Sequence, residues 1–151
     1  MIENKNILQE ELEQLQKDII ANQQYYNAWA SGETAKGYAV TVENAFHGKL
    51  EGYAYAGVLA TGRKPGKVPY HFNEIIKRWI IAKGLSHKDE KDLNRMANAI
   101  AWTIRKEGSQ LHRLGYKLDI FDTPIKEFAE RLSGRLSTLY RQETLNQIHN
   151  S

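Results

Sequence analysis

The first thirty residues carry apolar side chains at the spacing of an α-helix. Leu8, Leu12, Leu15 and Ile19 follow one another at intervals of four, three and four residues, which places them on one helical face. The opposite face is rich in Glu and Gln. The pattern predicts a long N-terminal helix over residues 4–30. Its apolar stripe suits packing on a sheet, and a seam that pairs two subunits is the alternative.

A period of two replaces the helical spacing in the next part of the chain. Apolar and polar residues alternate from Tyr38 to Val42, as in a strand with one buried face. Residues 44–48 are typical of a turn, and a second strand is expected from Lys49 to about Leu59. We therefore predict a β-hairpin over residues 36–60.

Helical spacing returns in three later segments. In the first of them, Phe72, Ile75, Ile76, Trp79 and Ile80 form a broad apolar face, and similar stripes follow in the other two. The predicted helices span about residues 71–83, 87–107 and 123–146.

The stretch over residues 109–121 has the weakest periodicity, and its near-alternating apolar residues from Tyr116 to Ile120 favour a short strand or an extended arm. The chain of 151 residues is long enough to bury one hydrophobic core. We therefore predict a single domain over residues 1–151. Its fold class is α+β: a long N-terminal helix, a β-hairpin, then two amphipathic helices and a C-terminal helix packed on the small sheet.

Composition excludes several classes of protein. The chain has no cysteine, which excludes disulfides, thiol catalysis and cysteine-bound zinc. No apolar run approaches the roughly 20 residues that a membrane-spanning helix needs. The N-terminal sequence M-I-E-N-K-N is polar and unlike a secretion signal. We therefore expect no membrane partner and assembly in a cytoplasm.

Charge is distributed unevenly along the chain, whose net charge is +3. Residues 1–60 carry four basic and eight acidic side chains, a net charge of −4. Residues 61–151 carry seventeen basic and ten acidic side chains, a net charge of +7. Such a difference allows one part of a copy to attract another part of a neighbouring copy, although charged helix faces also serve solubility alone.

The sequence lacks the motifs of common catalytic and metal sites. The five histidines are scattered, and none forms the H-x-x-x-H spacing of a helical zinc site. No G-x-S-x-G elbow is present. Acidic pairs fall on predicted helix faces, where they support capping and ion pairs. We therefore expect no catalytic residues, no metal and no cofactor, and a protein that is not an enzyme.

A basic loop over residues 61–69 is the main candidate site. Its sequence T-G-R-K-P-G-K-V-P combines glycines, which allow unusual backbone angles, with prolines, which fix φ. It does not match a phosphate-binding P-loop, because Gly66 and Lys67 are followed by Val68 instead of Ser or Thr. The residues expected to contact a partner or DNA are Arg63, Lys64, Lys67 and Tyr70, and those expected to shape the loop are Gly62, Pro65, Gly66 and Pro69.

The order of motifs around this loop resembles a known family. An apolar strand enters the loop, a helix of the W-I-x-x-K-G type follows, and a second helix ends in I-R-K-E-G. Over roughly residues 50–110 this arrangement is similar to the small tail-completion or neck proteins of tailed bacteriophages, which form the head-to-tail connector. The C-terminal helix lies outside the resemblance.

The resemblance implies a structural virion protein without catalytic activity. It implies a sixfold or twelvefold homo-oligomeric ring that joins portal-side and tail-side components, is assembled in the host bacterial cytoplasm and ends in the neck or tail of the virion. The implied partners are adjacent neck, portal or tail ring proteins, with the DNA in the channel as a further candidate.

A small basic nucleic-acid-binding module is the alternative function. The sequence pI of about 9.0 and the excess of basic residues after position 60 favour it. The aromatic residues Tyr70, Phe72 and Trp79 lie among the basic clusters. No complete nucleic-acid reader motif accompanies them.

Overall fold

The computed structural model describes residues 2–28 and 32–151. It combines helices with one two-stranded antiparallel sheet, which confirms the predicted α+β class. In chain order the described elements are α1 (Ile2–Tyr25), α2 (Glu33–Lys36), β1 (Ala39–Asn44), β2 (His47–Glu51), α3 (Val58–Thr61), α4 (Phe72–Ala82), α5 (Glu90–Glu107), α6 (Gln110–Leu114) and α7 (Asp122–His149).

The chain divides into two compact units. Unit 1 comprises Met1–Gln23, Thr34–Tyr53 and Asp119–Ser151, and unit 2 comprises Gln24–Glu33 and Ala54–Leu118. The chain thus passes between the units four times, and neither unit is one continuous stretch. The single domain over residues 1–151 stays a prediction.

In unit 1, the predicted apolar stripe of α1 faces the hairpin. Leu12, Leu15 and Ile19 are buried. A Cβ atom added to Gly48 of β2 would lie 2.8 Å from Leu12 Cδ1, so the strand approaches the helix very closely. Gln16 Nε2 also donates a hydrogen bond to Tyr38 O over 2.9 Å. The stripe therefore packs on the sheet of its own chain, as the first of the two alternatives expected.

Helix α7 packs against the same helix α1. Leu139 is buried, and Asn4 Nδ2 donates a 2.8 Å hydrogen bond to the Tyr140 hydroxyl. Further along α1, the Glu11 carboxylate accepts hydrogen bonds from Arg131 and Arg135 of α7. Unit 1 is therefore held together by contacts between the two ends of the chain.

In unit 2, α4 and α5 form the core. Phe72, Ile76 and Ile80 of α4 are buried with Leu93 and Ala97 of α5, as their helical spacing predicted. The apolar face of α4 is broader than its partner helix covers. The two flanking residues of that face stay substantially exposed, Ile75 at 40% and Trp79 at 39%.

The predicted extent of the hairpin is wrong at its second strand. Strand β2 ends at Glu51, where it pairs with Ala39, and does not continue to Leu59. The following residues are mostly small, and Gly and Ala are poor strand formers. They form a turn and α3 instead, where Ala60 is buried and its carbonyl accepts a 2.8 Å hydrogen bond from Leu118 N.

The weakly periodic stretch over residues 109–121 begins with a helix that the sequence did not predict. Residues Gln110–Leu114 form α6, which begins after Ser109 and ends before Gly115, a residue in the left-handed conformation. The Ser109 side chain accepts a hydrogen bond from His112 N and so caps the helix. Residues 116–119 have no regular secondary structure, so the short strand predicted over residues 116–120 is absent.

The predicted helix boundaries differ from the observed ones at both ends of the chain. Helix α1 ends at Tyr25, before Asn27 adopts a positive φ of 56°. Residues 29 and 30 of the predicted N-terminal helix lie outside the described residues. Helix α7 extends three residues beyond the predicted end, to His149.

Gly134 in the middle of α7 offers a stabilising substitution. A Cβ atom at this position meets nothing within 4 Å. Because glycine costs helices roughly 0.5–1 kcal/mol relative to alanine, we expect Gly134→Ala to raise the free energy of unfolding by about that amount. Urea unfolding followed by circular dichroism checks it. The reverse change at an exposed position of the same helix, Ala129→Gly, should lower the free energy of unfolding by a similar amount. If both substitutions changed the free energy of unfolding in the same direction, the explanation would be wrong.

Candidate interaction surface

The basic loop is attached by its backbone to the junction between α5 and α6. Arg63 O accepts a hydrogen bond from Ser109 N, and Arg63 N donates one to Ser109 Oγ, both at 2.9 Å. Gly66 N donates a 2.9 Å hydrogen bond to Arg105 O. These bonds hold the loop at two points against residues much later in the chain. The loop is therefore a fixed part of unit 2.

Two glycines make this close approach possible. Gly62 has φ 78° and ψ 171°, a region open essentially to glycine alone. A Cβ atom there would lie 2.5 Å from His112 N and from Ser109 Oγ. On the other side of the contact, a Cβ atom on Gly108 would lie 2.7 Å from Arg63 O. Both positions therefore require glycine for space as well as for backbone angle.

The remaining residues expected to shape the loop are Pro65, Gly66 and Pro69. Gly66 has φ 132°, and Pro65 lies beside the α5–α6 junction, with its Cδ 3.2 Å from the position that a Cβ atom would take on Gly108. Pro69 O accepts a 3.2 Å hydrogen bond from Phe72 N at the start of α4. Thr61 is the last residue of α3, so the loop begins at Gly62.

Arg63 is turned into the loop and is half-buried. Its Nη2 donates a 2.9 Å hydrogen bond to Lys67 O, and its Cζ lies 5.3 Å from the centroid of the Phe72 ring. This cation–π contact and the hydrogen bond close the loop around the guanidinium. Arg63 therefore shapes the loop, whereas the sequence suggested an exposed tip.

The other three candidate contact residues are exposed. Tyr70 is 91% exposed, and its ring lies edge-on to His71 with centroids 4.3 Å apart. Lys64 and Lys67 are exposed, and within the described residues their side chains make no hydrogen bond or ion pair. Both lysines are thus available to a partner.

The attachment of the loop adds residues that the sequence did not point to. Arg105, whose carbonyl binds the loop, is exposed, and its side chain has no polar partner in the described ranges. Lys106 Nζ lies 4.5 Å from the centroid of the Trp102 ring, which is 56% exposed. We call the set Lys64, Lys67, Trp102, Arg105 and Lys106 the loop–helix surface. Only the I-R-K-E-G motif at the end of α5 could have suggested the last two residues.

The acidic residue nearest in sequence to this surface is already neutralised. Glu107 forms an ion pair with Arg113, with 3.2 Å between Oε2 and Nη1. The loop–helix surface therefore keeps its positive charge.

Comparisons with protein-family models, with curated proteins and with solved structures give no match to this chain. Among the described residues, none of the helices is both long and apolar enough to cross a membrane. Within residues 2–28 and 32–151, no group of three or more His, Asp or Glu side chains is placed to hold a metal ion.

Unit 1 carries a second polar cluster, between α1 and α7. Glu11 is only 6% exposed, and its two carboxylate oxygens lie 2.8 Å from Arg131 Nε and 3.0 Å from Arg135 Nη1. Arg135 also pairs with Glu10 at 2.7 Å. Burial raises the pKa of Glu11, but the hydrogen bonds and charges of the two arginines outweigh it and hold that pKa below its ordinary value.

The two units differ in charge in the same sense as the two parts of the sequence. Unit 1 contains twelve acidic and eight basic residues, a net charge of −4. Unit 2 contains six acidic and thirteen basic residues, a net charge of +7. Because each unit collects separate stretches of the chain, this segregation is a property of the fold. It gives every copy one acidic and one basic body.

Proposed function

We propose that this protein is a structural subunit of a ring in the neck or tail of a tailed bacteriophage, where it joins portal-side and tail-side components. The observation that carries the proposal is the segregation of charge between the two units, −4 against +7. The resemblance of residues 50–110 to tail-completion and neck proteins supplies the place in the virion.

Opposite charge on two bodies of one chain favours head-to-tail contacts between copies. In such a contact, the acidic unit 1 of one copy meets the basic unit 2 of the next, and the electrostatic attraction selects this pairing over pairing of like units. Heterologous contacts of this kind close into rings when the rotation per subunit permits. Ring closure also multiplies contacts that are individually weak.

Exposed apolar side chains also support a protein that works in contact with partners. In unit 2, Ile75, Trp79 and Ile81 of α4 are each at least 39% exposed. In unit 1, Phe46 at the hairpin turn is 72% exposed. Monomeric soluble proteins rarely expose large apolar patches, and such patches mark sites of protein contact.

Light scattering across a concentration series tests the proposal. We expect the full chain to form a discrete ring, or a monomer that converts to one as concentration rises, and we expect assembly to weaken with salt because the attraction is screened. Negative-stain imaging should show a closed ring. A strict monomer that also fails to join rings of adjacent neck proteins would contradict the proposal.

Two charge-reversal variants make this test sharper. The first variant replaces four of the exposed acids of unit 1 by lysine, which changes the net charge of that unit from −4 to +4. The four positions are Glu3, Glu13, Glu130 and Glu143. The second variant replaces four exposed bases of unit 2 by glutamate, which changes the net charge of that unit from +7 to −1. The four positions are Arg78, Lys88, Lys91 and Arg95. Each variant alone should assemble poorly. An equimolar mixture should assemble again, because the altered unit 1 of one variant then meets the altered unit 2 of the other, and the unchanged acidic and basic units also meet. Variants that assemble as well alone as the wild type would argue against head-to-tail pairing.

A further inference from the structure

We propose that the loop–helix surface binds the phosphate backbone of double-stranded DNA. The inference rests on the proposed function for the identity of the DNA, which is the duplex that passes through the ring. Three features favour the contact itself: the cations that the fold brings together, the fixed backbone of the loop and the absence of acidic partners for these cations within the described residues.

The fold brings two distant stretches of the chain that carry cations into backbone contact. The hydrogen bond from Gly66 N to Arg105 O places the loop that carries Lys64 and Lys67 against the end of α5, which carries Arg105 and Lys106. These residues are about forty positions apart in the sequence. Four cationic side chains thus occupy one loop and the helix end that holds it.

These cations lack the acidic partners that several other cations of unit 2 have. Lys77 pairs with Glu90, Arg95 with Asp92 and Arg113 with Glu107. Within the described residues, by contrast, Lys64, Lys67 and Arg105 have no ion pair. An unneutralised cluster of this kind releases counterions when it meets a phosphate backbone, and this release drives protein–DNA association.

The loop is preorganised for a repeating anionic partner. Its backbone is fixed by Ser109 and Arg105, and the Arg63 guanidinium donates a hydrogen bond across it to the Lys67 carbonyl. Little backbone freedom is therefore left to lose on binding, which raises affinity for a given set of contacts.

The side chains on the surface suit contacts with phosphate groups. Lysines dominate the set, and they recognise phosphates as point charges, without the planar bidentate geometry that arginine offers to carboxylates and phosphates. The only arginine fork in the loop, that of Arg63, is used internally. The Trp102 ring beside Lys106 makes a cation–π contact with that ammonium group.

Fluorescence anisotropy with labelled duplexes tests the proposal on the full chain. Two unrelated sequences of roughly 30 base pairs should bind with similar affinity, and the logarithm of the binding constant should fall linearly with the logarithm of salt concentration. In the variant Lys64→Ala/Lys67→Ala/Arg105→Ala, we expect binding to weaken at least about tenfold. The magnitude of the salt slope should fall by about two to three, or about 0.9 per lost phosphate contact.

A matched variant removes the same charge from elsewhere in unit 2. Arg78, Lys88 and Lys91 are exposed, and their side chains have no ion pair in the described part of the chain. Replacing these three by alanine should leave most of the affinity and slope. Equal losses in both triple variants would show a general charge effect and overturn the proposal, as would the absence of wild-type binding at low salt. Circular dichroism verifies folding; should the first variant unfold, Lys64→Gln alone should reduce the magnitude of the slope by about one.

The experiments distinguish a failure of DNA binding from a failure of ring assembly. A ring that forms without binding duplex DNA would overturn this inference and leave the ring function standing. A monomer that binds DNA through these residues would support the inference and contradict the ring. If DNA does not bind and the first triple variant abolishes ring assembly, the loop–helix surface is a contact between copies, and the inference is wrong.

Discussion

Replacing Gly62 by alanine is expected to lower the free energy of unfolding of unit 2 by about 3 kcal/mol or more. The backbone at Gly62 has φ 78° and ψ 171°, which L-amino acids with a Cβ atom rarely adopt. The added methyl group would also lie 2.5 Å from His112 N, a backbone atom of α6 close to its junction with α5. Either the loop or the junction must move, so the substitution disrupts the attachment of the basic loop.

Gly115 provides the matched control for this experiment. It lies in the same unit with φ 74°, but a Cβ atom there meets nothing within 4 Å. Gly115→Ala should therefore cost only the conformational strain, about 1–2 kcal/mol. Denaturant unfolding followed by tryptophan fluorescence measures both, since Trp79 and Trp102 belong to unit 2. Equal costs at the two positions would show that the close approach of the loop contributes nothing.

Replacing both Arg131 and Arg135 by methionine is expected to destabilise unit 1 by about 3–5 kcal/mol at neutral pH. The two arginines are the hydrogen-bond partners of the Glu11 carboxylate, which is almost completely buried. Methionine preserves much of the side-chain volume but leaves a buried charge without compensation. Urea unfolding followed by far-ultraviolet circular dichroism measures the loss.

A triple variant tests this explanation directly. If the loss comes from the unpaired carboxylate, adding Glu11→Met to the two arginine replacements should recover most of the stability, because apolar residues often replace a complete buried ion pair without loss. A triple variant that is less stable than the double variant would show that the carboxylate itself is not the source. Arg141→Met, at an exposed position of the same helix without an ion pair in the described residues, should have little effect.

The pH dependence of stability should have opposite signs in the wild type and the double variant. In the wild type, the arginines hold the pKa of Glu11 below its ordinary value. Their contribution is therefore present above the pKa of the unfolded chain, about 4.3, and is lost as the pH falls through the lower pKa of the folded chain. In the double variant, burial without partners raises the pKa of Glu11, so lowering the pH protonates the carboxylate and reduces the destabilisation.

The helical cores were predictable because they depend on local spacing. Leu12, Leu15 and Ile19 were assigned to one face from the period of their sequence, and they are buried together. The same reasoning found the buried faces of α4 and α5. It failed after Glu51, where small residues end the strand, and at Gln110, where the N-cap residue Ser109 begins α6. The apolar pattern alone is ambiguous at both positions.

The candidate site was predictable only in part, for a different physical reason. The basic loop is visible in the sequence because its glycines, prolines and cations are contiguous. The contribution of Arg105 depends on a backbone hydrogen bond to Gly66, far earlier in the chain, and no local pattern signals it. The inward orientation of Arg63 likewise depends on the Phe72 ring and the Lys67 carbonyl, whose positions are set by the folded loop.

The arrangement of the units along the chain also fixes the order in which they can fold during synthesis. The core of unit 2 joins α4 to α5, which are neighbours in sequence, and such local contacts form early. Unit 1 waits for α7, since Glu11 and Arg131 are 120 residues apart. At roughly 5–20 residues per second, the ribosome makes α1 many seconds before its partner. A nascent chain therefore contains the whole of its basic unit before its acidic unit is complete.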